Sequence, residues 1–544
     1  MIQQHKIRAS FLFLFFVFCY VLVLLRLMYI QLIQHSFFTD LGQKQYNVVL
    51  TMCPERAPIV DRTGKNYLAI NNDAVATFIL PRQIKNREQL NNFLKNHFPH
   101  AFQRLAQHPQ AHFLYVQRKI TPEQKKLIID NNIIDIYFLN EPSRFYPCTA
   151  AAPLIGLTDI DNKGLFGIEL QFDQQLSGAS TQVTLEKDAR SGLYYFTKET
   201  TKEGVCAQPL TLTIDSELQF LTYEELTRTV KEYNAKQASA VIVNPDNGEI
   251  LAMAVFPTFD PHNFDANDLS LTKNTIITEA YELGSVFKIC TAIAALEEEV
   301  VTLDELIDCK DTKTTYIEGR KINTVIPAGI IPFKEVIAKS NNIGIAQVAQ
   351  RLGPRLYDHY TTLGFGQKVD IPFPGQNKGF INPPWQWSKQ SLFSLSYGYE
   401  VTANVLQMAR AMCIIASGGY WVDLQLLMHY KAPLKKSKLY SDETMDAIQD
   451  ILEQTTASGT AQKARIQGYR VMCKTGTANL LENGVYNPDK NIFTCAGIIQ
   501  KGNYKRVIVV FIKEPAQKDL YASVVAAPLF EQIAEKVLIK DRII

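Results

Sequence analysis

The first forty residues carry a long apolar run. Residues 11–25 contain no charged side chain, and residues 27–30 continue the run after Arg26. A helix of this length rises about 30 Å, which is the thickness of the hydrocarbon core of a bilayer. Arg26 lies near the end of the run, where its long side chain can reach the membrane interface. The pattern predicts a single membrane-spanning helix, and we assign residues 1–34 to a cytoplasmic tip and this anchor.

The charges on either side of the run predict its orientation. Lys6 and Arg8 precede it, whereas His35, Asp40 and Lys44 follow it. The positive-inside rule therefore places the N-terminus in the cytoplasm and the later residues on the other side of the membrane. A cleaved secretory signal is the alternative. The length of the run and the lack of a small-residue cleavage site after it favour an uncleaved anchor.

Residues 35–210 mix short β-like runs with turn-rich polar stretches and helical pieces. No group of side chains in this region indicates an obvious chemistry. We predict an elongated α+β pedestal domain here. The β-like runs lie at 47–52, 182–185 and 210–214, and the helical periodicity lies around 87–107 and 122–131.

Residues 211–544 have the pattern of a compact domain. Asp215 can cap a helix, and residues 238–256 are typical of a β-hairpin. Because further strands are predicted near the end of the chain, the sheet must combine both ends of the domain. We predict an α+β fold, with helices on both faces of an antiparallel sheet and an inserted helical cluster. The late elements are strands at 468–477, 491–499 and 506–512, and a helix at 519–539 that contains Pro528.

The composition is that of an ordinary globular protein. Of the 544 residues, 47% are hydrophobic and 20% are charged, and the 56 basic residues nearly balance the 54 acidic ones. These values exclude wholesale disorder and argue against nucleic-acid binding. The nine cysteines form no C-x-x-C pair and have no histidine nearby. The sequence therefore predicts neither a zinc site nor a disulfide framework.

Three short motifs in the compact domain match those of serine acyl-transfer enzymes. Each motif alone is a weak signal. S-x-x-K, for example, occurs a second time at 270–273, within a polar stretch. Their presence in this order is the informative feature. The motifs are S-V-F-K at 285–288, S-N-N at 340–342 and K-T-G-T at 474–477.

Ser285 lies in a setting that suits a nucleophile. It opens an apolar helix predicted at 286–296, so backbone N–H groups and the positive end of the helix dipole lie beside it. Lys288 follows on the same helix face. Burial and a second cation, for which Lys474 is the candidate, would favour neutral Lys288, which could then accept a proton. The alternative is an exposed capping serine followed by a solvated lysine.

The other two motifs also allow a functional and a plain structural interpretation. Ser340 could relay protons between Lys288 and a reacting amine, and Asn342 could hold a substrate amide. The alternative is a polar junction between two helices, with Asn342 as a cap. Lys474 and Gly476 share one face of a predicted strand, where the glycine allows another backbone to approach. The alternative there is a solvent-facing lysine at a strand end.

Taken together, the motifs resemble those of class B penicillin-binding proteins. The resemblance extends from the anchor to near Pro515. At two positions the sequence departs from the family pattern. Ala57 stands where the family usually has glycine, and Val286 stands where threonine is commoner. The other matching stretches are 56–64, 144–147, 164–169, 212–215 with Gln219, 244–254, 282–284, 363–366 and 468–469.

This resemblance implies a membrane-anchored periplasmic D,D-transpeptidase that cross-links peptidoglycan. Ser285 would attack the penultimate D-Ala carbonyl of a stem pentapeptide, Lys288 would take its proton, and D-Ala would leave. Backbone N–H groups of Ser285 and Thr477 would form the oxyanion hole. Lys474, Thr475 and Thr477 would bind the terminal carboxylate.

The resemblance also implies the remaining site residue and the partners. Gly476 completes the substrate-binding K-T-G-T set, and β-lactams would acylate Ser285. No metal or organic cofactor is implied. The implied partners are stem peptides, the inner membrane, a polytopic wall glycosyltransferase and divisome proteins.

Within class B, the segments 387–388 and 393–399 resemble the division-specific branch, with an elongation-type enzyme as the alternative. Residues 401–407 depart from the usual V-T-P-L-Q pattern. A β-lactamase-like hydrolase would need a deacylating base, for which no candidate is found. A membrane-tethered β-lactam sensor or division scaffold would normally carry more cytoplasmic sequence than precedes the anchor.

Overall fold

The computed structural model describes residues 2–52, 54–187, 194–428 and 437–543. Contacts divide the chain into two compact units. One unit is Met1–Arg56 with Ser177–Gln208, and the other is Ala57–Leu176 with Pro209–Ile544. The domain boundaries drawn from the sequence, at 34/35 and 210/211, stay predictions.

The first unit contains the apolar N-terminal helix. Within the described residues, Ile7–Ile33 is the one helical segment long and apolar enough to cross a membrane, and its apolar window is not buried inside the protein. Exposure of this kind suits a lipid environment and supports the predicted anchor. The helical elements of this unit are Ile2–Met28, Tyr29–Ile33 and His35–Tyr46, and its antiparallel sheet has the strand order Asn47–Met52, Thr181–Lys187, Tyr194–Lys202.

The second unit begins with a mixed sheet flanked by helices. The helices predicted around 87–107 and 122–131 are confirmed, with a break before Pro99, which starts a new helix. Thr121 begins the last of them with a capping box. The helices are Arg87–His97, Pro99–Gln107 and Pro122–Asp130; the strands follow the order Leu114–Gln117, Tyr67–Ile79, Ile59–Val60, Leu210–Thr211, and Tyr137–Phe145 also pairs with Tyr67–Ile79.

A buried ion pair joins two of the stretches that resemble the family. Arg144 Nε donates to Glu169 Oε1 at 2.7 Å, and the two side chains are only 1% and 0% exposed. Arg144 also donates to Asn71 Oδ1 at 3.1 Å. Two charges can be buried at this place because each is matched by the other and by further hydrogen bonds.

The rest of the second unit is built on a five-stranded antiparallel sheet. Its first two strands come from the beginning of residues 211–544 and its last three from the end, as the sequence predicts. The helices that pack against this sheet come from distant parts of the chain. The strand order is Ile250–Phe256, Gln237–Val243, Tyr504–Lys513, Val485–Lys501, Arg470–Glu482.

Helices cover both faces of this sheet. Ser216–Tyr233 and the final helix Ala522–Lys540 pack together on one face and share a core with Cys473 and its neighbours. Asp215 caps the first of them, as predicted, and accepts hydrogen bonds from two backbone N–H groups.

The helix Val405–Ala416 packs against the strands on the other face. Asn404 starts this helix through a reciprocal capping box with Gln407. The departure from the family pattern at 401–407 therefore still produces a well-capped helix.

The predicted helical insertion lies between the early and the late strands and includes small hairpins. This insertion carries the first two motifs, at 285–288 and 340–342. The helices are Thr275–Thr278, Lys288–Glu297, Phe333–Ala338, Asn342–Leu352, Arg355–Thr362, Ser391–Ser396 and Asp442–Ala457; the paired strands are Leu306–Asp308 with Ile330–Pro332, Thr314–Ile317 with Arg320–Asn323, and Phe380–Ile381 with Val401–Thr402.

Replacing Glu169 with alanine is expected to destabilise the protein by about 3–5 kcal/mol, because the Arg144 guanidinium then stays buried without its partner. The measurement is the urea midpoint of the full-length chain in detergent. Asp489→Ala is the control, since it removes an exposed ion pair with Lys518 and should barely move the midpoint. Equal shifts in the two variants would contradict this account of the buried pair.

Candidate active site

A cavity of about 790 Å³ brings the three motifs together. Ser285, Ser340, Asn342, Thr475 and Thr477 all line it. The two predicted lysines, Lys288 and Lys474, are fully buried at 0% exposure beside these residues. The structure therefore unites side chains that the sequence places almost two hundred residues apart.

Two glycines allow the Ser285 turn to press against the Lys474 strand. The turn Gly284–Phe287 leads directly into the helix Lys288–Glu297. A Cβ on Gly476 would lie 2.4 Å from Leu283 O, and one on Gly284 would lie 2.6 Å from Thr477 O. The close backbone approach that the sequence predicts at Gly476 is thus present, and the backbone it admits is that of the Ser285 turn.

Lys288 contacts Ser340 rather than Ser285. Its Nζ donates to Ser340 O at 2.6 Å and to Ser340 Oγ at 3.1 Å. Ser285 is half-buried, and its Oγ makes no hydrogen bond with the residues that the structure describes. The lysine is therefore held by the second motif, while Ser285 lines the cavity.

Ser340 lies between both lysines. Its backbone has φ +55°, in the left-handed region, and its N–H donates to Ile337 O at 3.0 Å, so it ends the preceding helix. Lys474 Nζ donates to Ser340 Oγ at 2.9 Å. A hydroxyl oxygen can accept both lysine hydrogen bonds and still donate its own proton.

Burial alters the protonation of both lysines. The pKa of Lys288 lies well below its ordinary value, mainly because the side chain is removed from water and also because Lys474 lies nearby. Burial lowers the pKa of Lys474 from 10.5 to about 7. The lowered pKa of Lys288 favours its neutral amine, which is the form that can accept a proton.

Asn342 lines the cavity, but it is not the helix cap of the plain structural interpretation. The cap of helix Asn342–Leu352 is Asn341, whose Oδ1 accepts from Gly344 N at 3.0 Å. Asn341 Nδ2 donates to Ile326 O, and Asn342 Nδ2 donates to Asn323 O at 2.7 Å. Both asparagines therefore hold one neighbouring segment, a role that only the tertiary contacts reveal.

The two threonines of the third motif have partners that sequence reasoning missed. Thr475 Oγ1 donates to Thr460 Oγ1 at 2.9 Å, and Thr460 also lines the cavity. Thr477 Oγ1 accepts from Ala522 N at 3.1 Å, at the start of the final helix. The Thr477 proton therefore remains available for a ligand. The short run of small residues at 458–461 was the only sequence signal for Thr460.

The described part of the chain contains no cluster of three or more His, Cys, Asp or Glu side chains placed to hold a metal ion. The polar groups at the cavity are amines, hydroxyls and amides. These groups can exchange protons and bind an anion, which is the chemistry of acyl transfer through a serine.

Comparison with protein families agrees with this geometry. The penicillin-binding protein transpeptidase domain matches residues 238–535, which is more than half of the chain, and the penicillin-binding protein dimerisation domain matches residues 51–205. The chain belongs to the class B penicillin-binding proteins. The family predicted from the motifs is confirmed.

Relatives of this penicillin-binding protein are similar over nearly their full length. A probable peptidoglycan D,D-transpeptidase PbpC of Pseudomonas aeruginosa is 29% identical over 98% of this chain and 94% of its own. The stage V sporulation protein D of Bacillus subtilis is 29% identical over 97% and 84%. The peptidoglycan D,D-transpeptidase FtsI of Escherichia coli is 27% identical over 94% and 88%.

Solved structures of penicillin-binding proteins share the fold. Penicillin-binding protein 3 of Mycobacterium tuberculosis, complexed with aztreonam, superposes with a TM-score of 0.71 at 24% identity. The alignment covers 91% of this chain and 97% of that one. The predicted α+β fold, with an N-terminal apolar helix followed by a dimerisation domain and a transpeptidase domain, is confirmed.

Lys474 should make the stability of the protein depend on pH. The unfolded chain keeps the Lys474 proton up to about pH 10.5, whereas the folded chain loses it near pH 7. In that window the unfolded state binds more protons, so stability rises with pH, by at most about 1.4 kcal/mol per pH unit for one proton. The stability that the folded protein gains from neutral Lys474 at high pH is therefore lost as the pH falls through 7. Lys474→Met should flatten the rise.

The urea midpoint of the full-length chain, followed from pH 7 to pH 9, measures this effect. Lys518→Met serves as the control, because Lys518 is exposed and its replacement should leave the slope unchanged. Identical slopes for the wild type and Lys474→Met would show that the buried amine does not titrate in this window.

Proposed function

We propose that this protein is a periplasmic peptidoglycan D,D-transpeptidase that works through an acyl-enzyme on Ser285. The observation that carries the proposal is the hydrogen bonding of two buried lysines, Lys288 and Lys474, to Ser340 at a cavity that Ser285 also lines. The D,D-transpeptidase names of relatives similar along the whole chain support the reaction type.

In the first half-reaction, Ser285 attacks the carbonyl of the penultimate D-Ala. Neutral Lys288 uses its two N–H groups on Ser340 O and Oγ, which leaves its lone pair to take the Ser285 proton. The Oγ–C bond forms and the C–N bond to the terminal D-Ala breaks. The leaving amine takes a proton from Ser340 Oγ, and Lys288 then passes a proton to Ser340 Oγ.

Groups around Lys288 and Ser340 orient the substrate. Thr475, Thr477 and Lys474 bind the terminal carboxylate, and the proton left free on Thr477 suits this purpose. The N–H groups of Ser285 and Thr477 stabilise the oxyanion. Gly476 keeps this strand close to the Ser285 turn, and Asn342 holds a substrate amide.

In the second half-reaction, an amine of a neighbouring stem attacks the acyl-enzyme. Its nitrogen forms the new amide and passes a proton through Ser340 towards Lys288. The ester C–O bond breaks, and Ser285 Oγ recovers a proton from Lys288. The atoms balance without a cofactor, and a β-lactam that acylates Ser285 would block the site.

We further propose the location and the cellular role. The N-terminus lies in the cytoplasm and the bulk of the chain in the periplasm of a bacterial inner membrane, because the apolar helix follows Lys6 and Arg8. Several relatives bear the name FtsI, which supports septal wall synthesis together with a polytopic glycosyltransferase and divisome proteins.

Mass spectrometry of the full-length chain in detergent, after incubation with benzylpenicillin, tests the nucleophile. We expect one stable adduct on the Ser285 peptide and none in Ser285→Ala, because the acyl bond requires Oγ. Drug consumption without an adduct would favour a hydrolase. The absence of both adduct and consumption would contradict an acylating serine.

Replacing Ser340 with alanine removes the hydroxyl shared by both lysines. We expect benzylpenicillin acylation to slow by about 10²–10⁴-fold, which is the usual contribution of a positioned proton-transfer group. The rate is followed by quenched-flow mass spectrometry. Ser458→Ala, which alters another serine at the cavity, should acylate at nearly the wild-type rate. A normal rate in Ser340→Ala would exclude the relay.

A further inference from the structure

Glu282 lies three residues before Ser285 and joins segments that the mechanism does not use. Its Oε1 accepts from Glu400 N at 2.7 Å and from Tyr486 OH at 3.1 Å. These partners are 118 and 204 residues away in sequence. Glu282 is not among the residues that line the cavity, so it acts through its partners.

The first partner belongs to residues 397–400, which we call the tyrosine loop. Tyr397 and Tyr399 of this loop line the cavity. The loop is pressed closely against the Ser285 turn, because a Cβ on Gly398 would lie 2.0 Å from Gly284 O. Glu400 has φ +59°, a left-handed conformation that costs free energy unless neighbouring contacts hold it. The bond from Glu400 N to Glu282 is such a contact.

The second partner belongs to the tip of the sheet hairpin, residues 480–487, which we call the arm. The arm follows an irregularity in pairing after Asn479, and its Leu481 and Val485 side chains are 52% and 69% exposed. Tyr486 contacts Tyr399 edge to face, with ring centroids 5.2 Å apart. Glu282 therefore binds the arm directly, and the arm in turn packs on a tyrosine of the cavity wall.

We infer that Glu282 is a positioning residue that holds the tyrosine loop and the arm against the Ser285 turn, and thereby sets how tightly the cavity binds an acyl donor. The inference rests on the proposed function. Because Glu282 touches neither Ser340 nor either lysine, its loss should weaken donor binding and leave the acylation step itself intact.

The test is stopped-flow acylation of the full-length chain in detergent by a fluorescent penicillin, over a range of concentrations. Glu282→Ala should raise the half-saturating concentration roughly tenfold, which is the scale of one net hydrogen bond, because the variant loosens the cavity wall without removing a direct contact to the donor. The limiting acylation rate should stay within about twofold of the wild type, because binding alone is altered. Tyr486→Phe removes one bond and should give a smaller rise.

Two further variants separate positioning from general loosening. Glu282→Gln keeps an acceptor oxygen and should restore most of the affinity. Glu279→Ala alters a carboxylate in the same segment that bonds Tyr281 instead, and it should bind the penicillin as the wild type does. Unfolding midpoints are measured for every variant in parallel.

Three results would overturn the inference: unchanged saturation in Glu282→Ala, equal weakening in Glu279→Ala, or a limiting rate that falls in parallel with affinity. Failure of the proposed function is distinguishable from these results. In that case the wild-type chain itself would form no Ser285 adduct, whatever residue stands at 282.

Discussion

Two lysine amines share one serine hydroxyl inside the protein, and the rest of the site depends on this arrangement. Lys288 and Lys474 both donate to Ser340 Oγ. A buried ammonium without an anion is costly, so burial lowers the pKa of each amine and favours the neutral form. A lowered pKa suits a base, because only the neutral amine of a lysine can accept a proton.

Holding these groups together requires unusually close backbone contacts. Gly476 and Gly284 let the Ser285 turn lie on the Lys474 strand, and Gly398 lets the tyrosine loop lie on that turn. Side chains at these positions would push the segments apart. The sheet contributes rigidity, because the Lys474 strand pairs with a long neighbour and packs against the helices Asp442–Ala457 and Ala522–Lys540. Close packing at three glycines therefore sets the positions of these groups.

Several motif residues also hydrogen-bond to segments outside the motifs. Asn341 and Asn342 secure the segment at 323–326, Thr475 bonds Thr460, and Thr477 is tied to the final helix. Asn342, Thr475 and Thr477 are thus each anchored by a hydrogen bond to another segment. Such anchoring keeps donors and acceptors in place for a substrate that has not yet bound.

The sequence alone determined the apolar N-terminal helix, the main strands and helices of residues 211–544, the three motifs and the family, because these depend on local periodicity and on residues that are close in the chain. It also anticipated the close approach at Gly476 and the proximity of Lys474 to Lys288. Only the tertiary structure decided that Lys288 points to Ser340, that Asn341 is the helix cap, and that Thr460 and Glu282 hydrogen-bond to distant segments around the site. These contacts join distant segments, so they depend on how the turn, the loop and the sheet pack, which no local pattern encodes.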